Sequence, residues 1–538
     1  MNLYRKLPVG IQSFEKLRTD KYLYVDKTEH LFRLILTSSP YFLSRPRRFG
    51  KSLFLSTLAA YFLGKKDLFQ GLYIEKAEEE RAKSEGSEPW IEYPVLYLDF
   101  NMGQYNEKEG VKQVLNYHLT DFEKIYGSNK TDDGLTARFA GIINRAYEKT
   151  GKKVVILVDE YDKPLLQTMY VNEALNEEFR STLKSFYSVL KTCDQYIRFS
   201  FLTGVTKFSK ISIFSDLNNL QDISLHEAFS SICGITEKEL HLTFKPEIEA
   251  LAEKEKISYE SCVELLKKRY DGYLFAGVGE SVYNPFSVLN VFSANNAGSY
   301  WFATGTPTFL VNYLKDAHYN IPDLDGNVEL DEAGLADYRA DTKNPLPILF
   351  QAGYLTIKRY DSKYRLYSLG FPNDEVRYGF LSNLLPVYSD IKSSEAAYSV
   401  AQFSKDIEGG NVDGFMERMK SIIAGIPYDN LPKEKLKLRE QNYQTAVYLI
   451  FKLMGQFVET EIHCAAGRAD CLVHTQDTIY IFEFKLDGNG SSADAVAQIK
   501  EKGYAVPFKS SGKKIVLIGS SFDEKERTIK DWKIETLL

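Results

Sequence analysis

Residues 154 to 158 read Val-Val-Ile-Leu-Val and run straight into Asp159 and Glu160. An apolar, β-branched run with no polar alternation cannot be a strand with one wet face. It is what the centre of a parallel sheet requires, where helices cover both faces. Parallel neighbours in turn need crossover connections of a dozen or more residues, usually helices. The surrounding sequence supplies them: strand candidates at 41–43, 95–100 and 197–202 alternate with helical stretches over residues 1 to about 235. An α/β fold with a helix-covered parallel sheet is therefore predicted.

Residues 44 to 52 read Ser-Arg-Pro-Arg-Arg-Phe-Gly-Lys-Ser. The phosphate-cradling pattern G-x-x-x-x-G-K-[ST] is complete here except at its first position, where Arg45 stands for glycine. A short apolar strand precedes the turn, and good helix formers follow it from Ser52 to Phe62. Lys51 and Ser52 thus open a helix, whose free N–H groups and dipole make an anion site. Lys51 is expected to reach the β- and γ-phosphates and Ser52 to ligate Mg²⁺, with Arg45, Pro46, Arg47, Arg48, Phe49 and Gly50 forming the loop around the nucleotide. At the end of the central strand, Asp159 would hold the same Mg²⁺ and Glu160 would polarise the attacking water. Thr203, ending the next strand, stands where a polar side chain feels the γ-phosphate. A basic turn or a solvated strand end explains either motif alone; both in one chain point to a P-loop ATPase that uses ATP and Mg²⁺.

A second constellation lies near the C-terminus. Residues 468–475 and 478–485 are two strand candidates joined at Gln476-Asp477. If Thr475 pairs with Thr478, paired residue numbers sum to 953, which sets Asp470 directly opposite Glu483. Opposed residues share a face with Cβ atoms about 4.5–5.5 Å apart, and Lys485 projects from that face by the period-2 rule. Two carboxylates so close repel unless a cation lies between them. A helix near 440–455, a strand at 457–462, the hairpin, a helix at 493–505 carrying Gln498 and a strand at 514–518 give the order α-β-β-β-α-β.

Further stretches carry a family resemblance. The run from Leu7-Pro8-Val9-Gly10-Ile11 through Tyr24-Val25-Asp26-Lys27-Thr28 to the 44–52 turn is similar to the bacterial AAA-ATPase-like family, whose members commonly carry a C-terminal PD-(D/E)XK nuclease domain. Asp159-Glu160-Tyr161-Asp162, Thr203-Gly204-Val205-Thr206-Lys207, Tyr270-Asp271-Gly272-Tyr273, Asn284-Pro285-Phe286 and Gln351-Ala352-Gly353-Tyr354-Leu355 extend the match over almost the whole chain. The resemblance implies that arginine at position 45 is a habitual variant. It also implies a restriction-endonuclease-like domain in which Asp470 and Glu483 bind Mg²⁺, or Mn²⁺ in its place, and Lys485 stabilises charge or positions water. Ala469 stands where the proline of the family name would be. The implied order is an AAA-like P-loop core at 1–235, a helical lid at 236–300, a winged-helix-like or hairpin-containing module at 301–385, a helical linker at 386–435 and the nuclease-like domain at 436–538.

Lys and Arg total 67 against 73 Asp and Glu, a formal charge of −6. Nucleic-acid contact must then come from local basic segments, such as 433–439 and 500–514, rather than from a global field. The five cysteines include no C-x-x-C pair, so neither a disulfide framework nor a zinc site is indicated. Apolar stretches fall short of a membrane span, and the N-terminal residues lack the apolar core of a signal peptide. The expected protein is cytoplasmic, without a membrane partner, and its homo-oligomerisation is open. Its expected function is ATP-dependent regulation fused to metal-dependent cleavage of nucleic acid, DNA rather than RNA. The alternative is a nucleotide-switched module that binds nucleic acid or protein through a catalytically inactive nuclease-like domain.

Overall fold

In a computed structural model the apolar run becomes a strand with every residue buried. Described are residues 5–37, 40–169, 171–207, 214, 217, 219–302, 308–336, 344–389, 391–425, 436–462, 470–485, 490–523 and 528–537. Strands β1 (Pro40–Ser44), β2 (Val95–Asp99), β3 (Val154–Asp159), β4 (Ile197–Gly204) and β5 (Gln221–Asp222) form one sheet in the order β2-β3-β4-β1-β5. Every pairing in it is parallel. The carboxyl ends of β1, β3 and β4 therefore open on the same edge, where ligands of doubly wound sheets bind.

Two compact units divide the chain: Met1–Thr304 with Gly326–Glu375, and Gly305–Asp325 with Val376–Leu538. The first holds the parallel sheet, the helices after it and a small antiparallel sheet. Helices Glu237–Glu255, Tyr259–Tyr270 and Pro285–Ala294 occupy the stretch expected as a lid. Each starts on a side-chain cap, Thr236, Ser258 and Asn284 respectively. Their apolar faces meet in a core that includes Leu240, Leu251, Leu266 and Val291. A two-stranded ribbon, β6 (Ile235–Thr236) with β7 (Val282–Tyr283), ties the ends together.

The hairpin expected near 345–380 is present as β9 (Thr356–Asp361) and β10 (Leu366–Gly370), and it gains a third strand, β8 (Val328–Asp331), in the order β8-β10-β9. Helices Glu332–Ala336 and Leu346–Gln351 lie between β8 and β9. Strand, two helices and hairpin is the chain order of a winged helix. The second of these helices is buried along its whole length, so it presents no free face.

The second unit is built on β11 (Glu459–Ile462), β12 (Cys471–His474), β13 (Thr478–Lys485), β14 (Lys514–Asp523) and β15 (Thr528–Leu537), neighbours in chain order. β13 and β14 are parallel and the other pairs antiparallel. On one face Phe403 and Phe415, from helices Ala396–Glu408 and Val412–Ala424, join Phe451 of helix Leu436–Met454 against Phe482. These two helices come from the stretch read as a linker. On the other face, Val496 and Ile499 of helix Ser492–Glu501 pack on Ile479, Ile481 and Leu517. The order α-β-β-β-α-β is as expected, with β15 added as an edge strand. Its charged residues Lys530, Asp531, Lys533 and Glu535 mask its strand pattern in the sequence.

Candidate nucleotide and metal sites

The turn after β1 leads into helix Lys51–Phe62, whose N-cap Gly50 takes φ +99°, a conformation glycine adopts without steric cost. Lys51 is buried at 3% exposure, and its ammonium donates to the carbonyls of Arg45 at 2.9 Å and Pro46 at 3.1 Å. Glu160 Oε1 lies 3.9 Å from the same Nζ. At the end of β3, Asp159 is buried, accepts from Thr203 Oγ1 at 2.7 Å and is hydrogen-bonded by Ser52. Burial pushes the Asp159 carboxyl up, against the lowering effect of those hydroxyls. Lys51, Ser52, Asp159, Glu160 and Thr203 are thus brought together by the ends of three strands. Ser52 and Asp159 offer the hard oxygen donors that Mg²⁺ prefers.

The rest of the loop faces other partners. Arg45 is 2% exposed, and its guanidinium donates to the carbonyls of Ser44, Ser224 and Phe229 and lies 4.3 Å from the Phe275 ring. Its backbone lines the loop while its side chain turns behind it. Burial pushes its pKa down to about 10, against the pull of Cys233 and Asp222. Pro46 and Phe49 are buried, whereas Arg47 and Arg48 are exposed. Phe49 packs edge-on against Tyr273 and Phe275, and the Arg48 guanidinium sits 4.1 Å from the Phe286 ring. Arg48 at φ +68° and Glu160 at φ +53° are both left-handed, which costs a non-glycine residue roughly 1–2 kcal/mol. Such outliers cluster where function over-determines the backbone.

Asp162 carries a role that the sequence reading did not assign. Fully buried, its Oδ2 accepts from the backbone of Val205 and Thr206 and from the Thr206 hydroxyl. Burial and the nearby Glu160 push it up to about 6. Together with the Tyr161 hydroxyl, which donates to the Thr206 carbonyl at 2.9 Å, it fixes the loop after β4 to the turn that carries Glu160. The signal available in sequence was the pairing of Asp-Glu-Tyr-Asp with Thr-Gly-Val-Thr, two unusual strand ends in one chain.

In the second unit the hairpin has the anticipated register: Cys471 pairs with Phe482 and His474 with Ile479. Asp470, just before β12, is anchored by the Phe484 N–H, which donates to its Oδ2 at 2.8 Å. Glu483 is 4% exposed, and its buried Oε2 has no hydrogen-bond partner among the described residues. Lys485 Nζ lies 3.6 Å from Glu483 Oε1. Gln498 donates to Glu483 Oε1 and accepts from Lys485, so it bridges the two. Burial first and Asp470 second push Glu483 up to about 7, against the pull of Lys485; burial also raises Asp470. Two raised carboxyls and an orphaned buried oxygen fit a divalent cation, which takes oxygen ligands and leaves coordination places for water. No group of three or more His, Cys, Asp or Glu residues suited to a metal occurs among the described residues. Gly467, Arg468 and Ala469 lie outside the described residues, as do the side chains of the basic segment 433–439.

Among the described residues no helix is long and apolar enough to cross a membrane. Residues 8–214 match the family model described as Predicted AAA-ATPase, and residues 438–532 match that of the PD-(D/E)XK nuclease superfamily. A protein of Azotobacter chroococcum mcd 1, described as "Uncharacterized protein in vnfD 5'region", is 36% identical over 537 residues, covering 99% of each chain.

Proposed function

Because the chain belongs to the family of predicted AAA-ATPases that carry a PD-(D/E)XK nuclease superfamily domain, we propose that it binds and hydrolyses ATP in its first unit and cuts phosphodiester bonds, in DNA rather than RNA, in its second. The observation that carries the reading is the same in both places: buried charge short of protein partners. Among the described residues Lys51 is a buried cation bonded to two loop carbonyls, with the Glu160 carboxylate 3.9 Å away, and nucleotide phosphates would add closer counter-charge. Glu483 is a buried carboxyl with one oxygen unpaired beside Asp470.

In the first unit, Lys51 and the helix N-terminus hold the phosphates, Ser52 and Asp159 face the hydroxyl and carboxylate positions of a magnesium site, and Thr203 fixes Asp159. Glu160, held at the strand end in its left-handed turn, orients the attacking water. In the second, Asp470 and Glu483 would hold Mg²⁺ or Mn²⁺, which when bound supplies Lewis acidity and a water of lowered pKa. Gln498 keeps Lys485 beside Glu483, where its positive charge stabilises negative charge that develops on the scissile phosphate.

The test is to incubate the purified full-length protein with plasmid, linear and single-stranded DNA and with RNA, with Mg²⁺ or Mn²⁺, and with ATP, ADP or no nucleotide. Metal-dependent cleavage abolished in Asp470→Ala is the expected result. Nucleic-acid binding that responds to nucleotide without cleavage under any condition would replace this reading with that of a switched binding module.

A further inference from the structure

The loop Arg45–Gly50 takes contacts from far along the chain as well as from Lys51 beside it. Its first glycine is replaced, and Arg48 carries a strained positive φ, which persists only where surrounding structure imposes it. The Trp301 indole Nε1 donates to the Arg47 carbonyl at 3.2 Å, across 254 residues of sequence. Trp301 is itself held from behind. Its backbone N–H donates to Glu375 Oε1 at 2.9 Å, that of Tyr300 reaches the same oxygen at 2.5 Å, and the Ser287 hydroxyl donates to Oε2 at 2.6 Å. Glu375 is only 5% exposed, so a buried carboxylate here organises three donors from two separate stretches. The Trp301 ring also packs on Tyr354, at 5.4 Å between centroids.

Resting on the ATPase reading, we propose that Trp301 and Glu375 are positioning residues for the nucleotide site. Glu375 fixes the backbone of Trp301; the Trp301 indole fixes the Arg47 carbonyl; the loop then keeps the turn at Arg48 and Gly50 that presents the helix N-terminus to phosphate. Neither residue touches the nucleotide. Both set how tightly its phosphates are held.

The test uses the full-length protein with Trp301→Phe, Glu375→Ala and Glu375→Gln. Without nucleotide, hydrogen exchange of the amides at 47–50 is expected to quicken in Trp301→Phe and Glu375→Ala while the rest of the first unit is unchanged. Mg-ADP affinity, measured by titration, should fall roughly fivefold, the worth of one hydrogen bond of about 1 kcal/mol. Glu375→Gln should stay near the parent, because its carbonyl can accept both N–H groups and its amide can donate to Ser287. If Glu375→Ala does not fold, Trp301→Phe decides, since it keeps an aromatic ring against Tyr354 while removing the indole N–H. Loop exchange and ADP affinity within twofold of the parent in Trp301→Phe would overturn the proposal, as would loosening spread across the whole unit with Gln no better than Ala. Faster loop exchange in a protein whose parent binds no nucleotide would uphold the positioning role and sink the ATPase reading instead.

Discussion

Replacing Glu483 by glutamine should stabilise the metal-free protein, and should do so far more at pH 8 than at pH 5. The carboxyl is pushed up to about 7 from its ordinary 4.5 by burial and by Asp470. Between those values the folded protein keeps a proton that the unfolded chain has released. The unfolded state then binds fewer protons, so this group's contribution to stability falls as pH rises from about 4.5 and levels off above about 7. At 1.36 kcal/mol per pKa unit, the loss is roughly 3 kcal/mol. Glutamine removes the charge and keeps the shape, so the variant should lack this decline. For a unit of this size, about 2–4 °C of melting temperature accompanies each kcal/mol. Calorimetry in EDTA should therefore show the second unit of Glu483→Gln melting about 6–12 °C above wild type at pH 8, with the gap nearly closed at pH 5. Magnesium at about 100 times its dissociation constant should return roughly 2.7 kcal/mol to wild type at pH 8 and little to the variant. A gap of equal size at both pH values, or equal magnesium stabilisation of both proteins, would refute the placement of Glu483 as a buried metal ligand.

Three further outcomes are expected. Lys51→Ala should lose most ATP and ADP binding in isothermal titration, because it removes the buried ammonium that stands at the helix N-terminus and bonds the Arg45 and Pro46 carbonyls. Glu160→Gln should bind ATP like wild type while steady-state phosphate release slows by about 10²–10⁴, the usual worth of a positioned base; unchanged turnover would remove Glu160 from the reaction. Gly272→Ala should lower the unfolding free energy of the first unit, measured by denaturant titration, by about 2 kcal/mol or more. A methyl there would lie 2.2 Å from the Pro372 carbonyl at φ +90°, combining overpacking with a left-handed backbone.

How far the molecule could be read from its sequence follows the range of the interactions involved. The β3 run, the Gly50-Lys51-Ser52 turn and the 471–482 register are set by neighbours within a few residues, since a tight turn fixes which residues of a hairpin face each other. Pairing and period therefore located Glu483, Lys485 and their opposition to Asp470. The helices Ala396–Glu408 and Val412–Ala424 looked like a linker because their apolar faces find partners only on a sheet assembled later in the chain. Asp162 received no role from the sequence because its partners, Val205 and Thr206, lie 43 and 44 residues away. Arg45 is the sharpest case. A pattern of eight residues places it beside phosphate, yet its guanidinium is committed to carbonyls 179 and 184 residues further on.

The loop's aromatic partners, further along still, predict where a minimal ATPase can end. A local rule broken at the first glycine and again at Arg48 must be compensated by contacts elsewhere, and those contacts come from Phe275, Phe286 and Trp301. All three lie beyond residue 214, where the ATPase family match stops. A fragment of residues 1–235 would keep Lys51, Asp159, Glu160 and Thr203, and would keep the Ser224 and Phe229 carbonyls for Arg45. It would leave Phe49, 1% exposed in the whole chain, without Tyr273 and Phe275, exposing an aromatic side chain whose burial is worth about 1.5–3 kcal/mol. It would also free the Arg47 carbonyl. The fragment should bind Mg-ADP at least tenfold more weakly than the full chain, with rapid hydrogen exchange across 45–50. A fragment that bound ADP as tightly as the whole protein would mean that the loop holds its own shape, and that the distant aromatic residues merely rest against it.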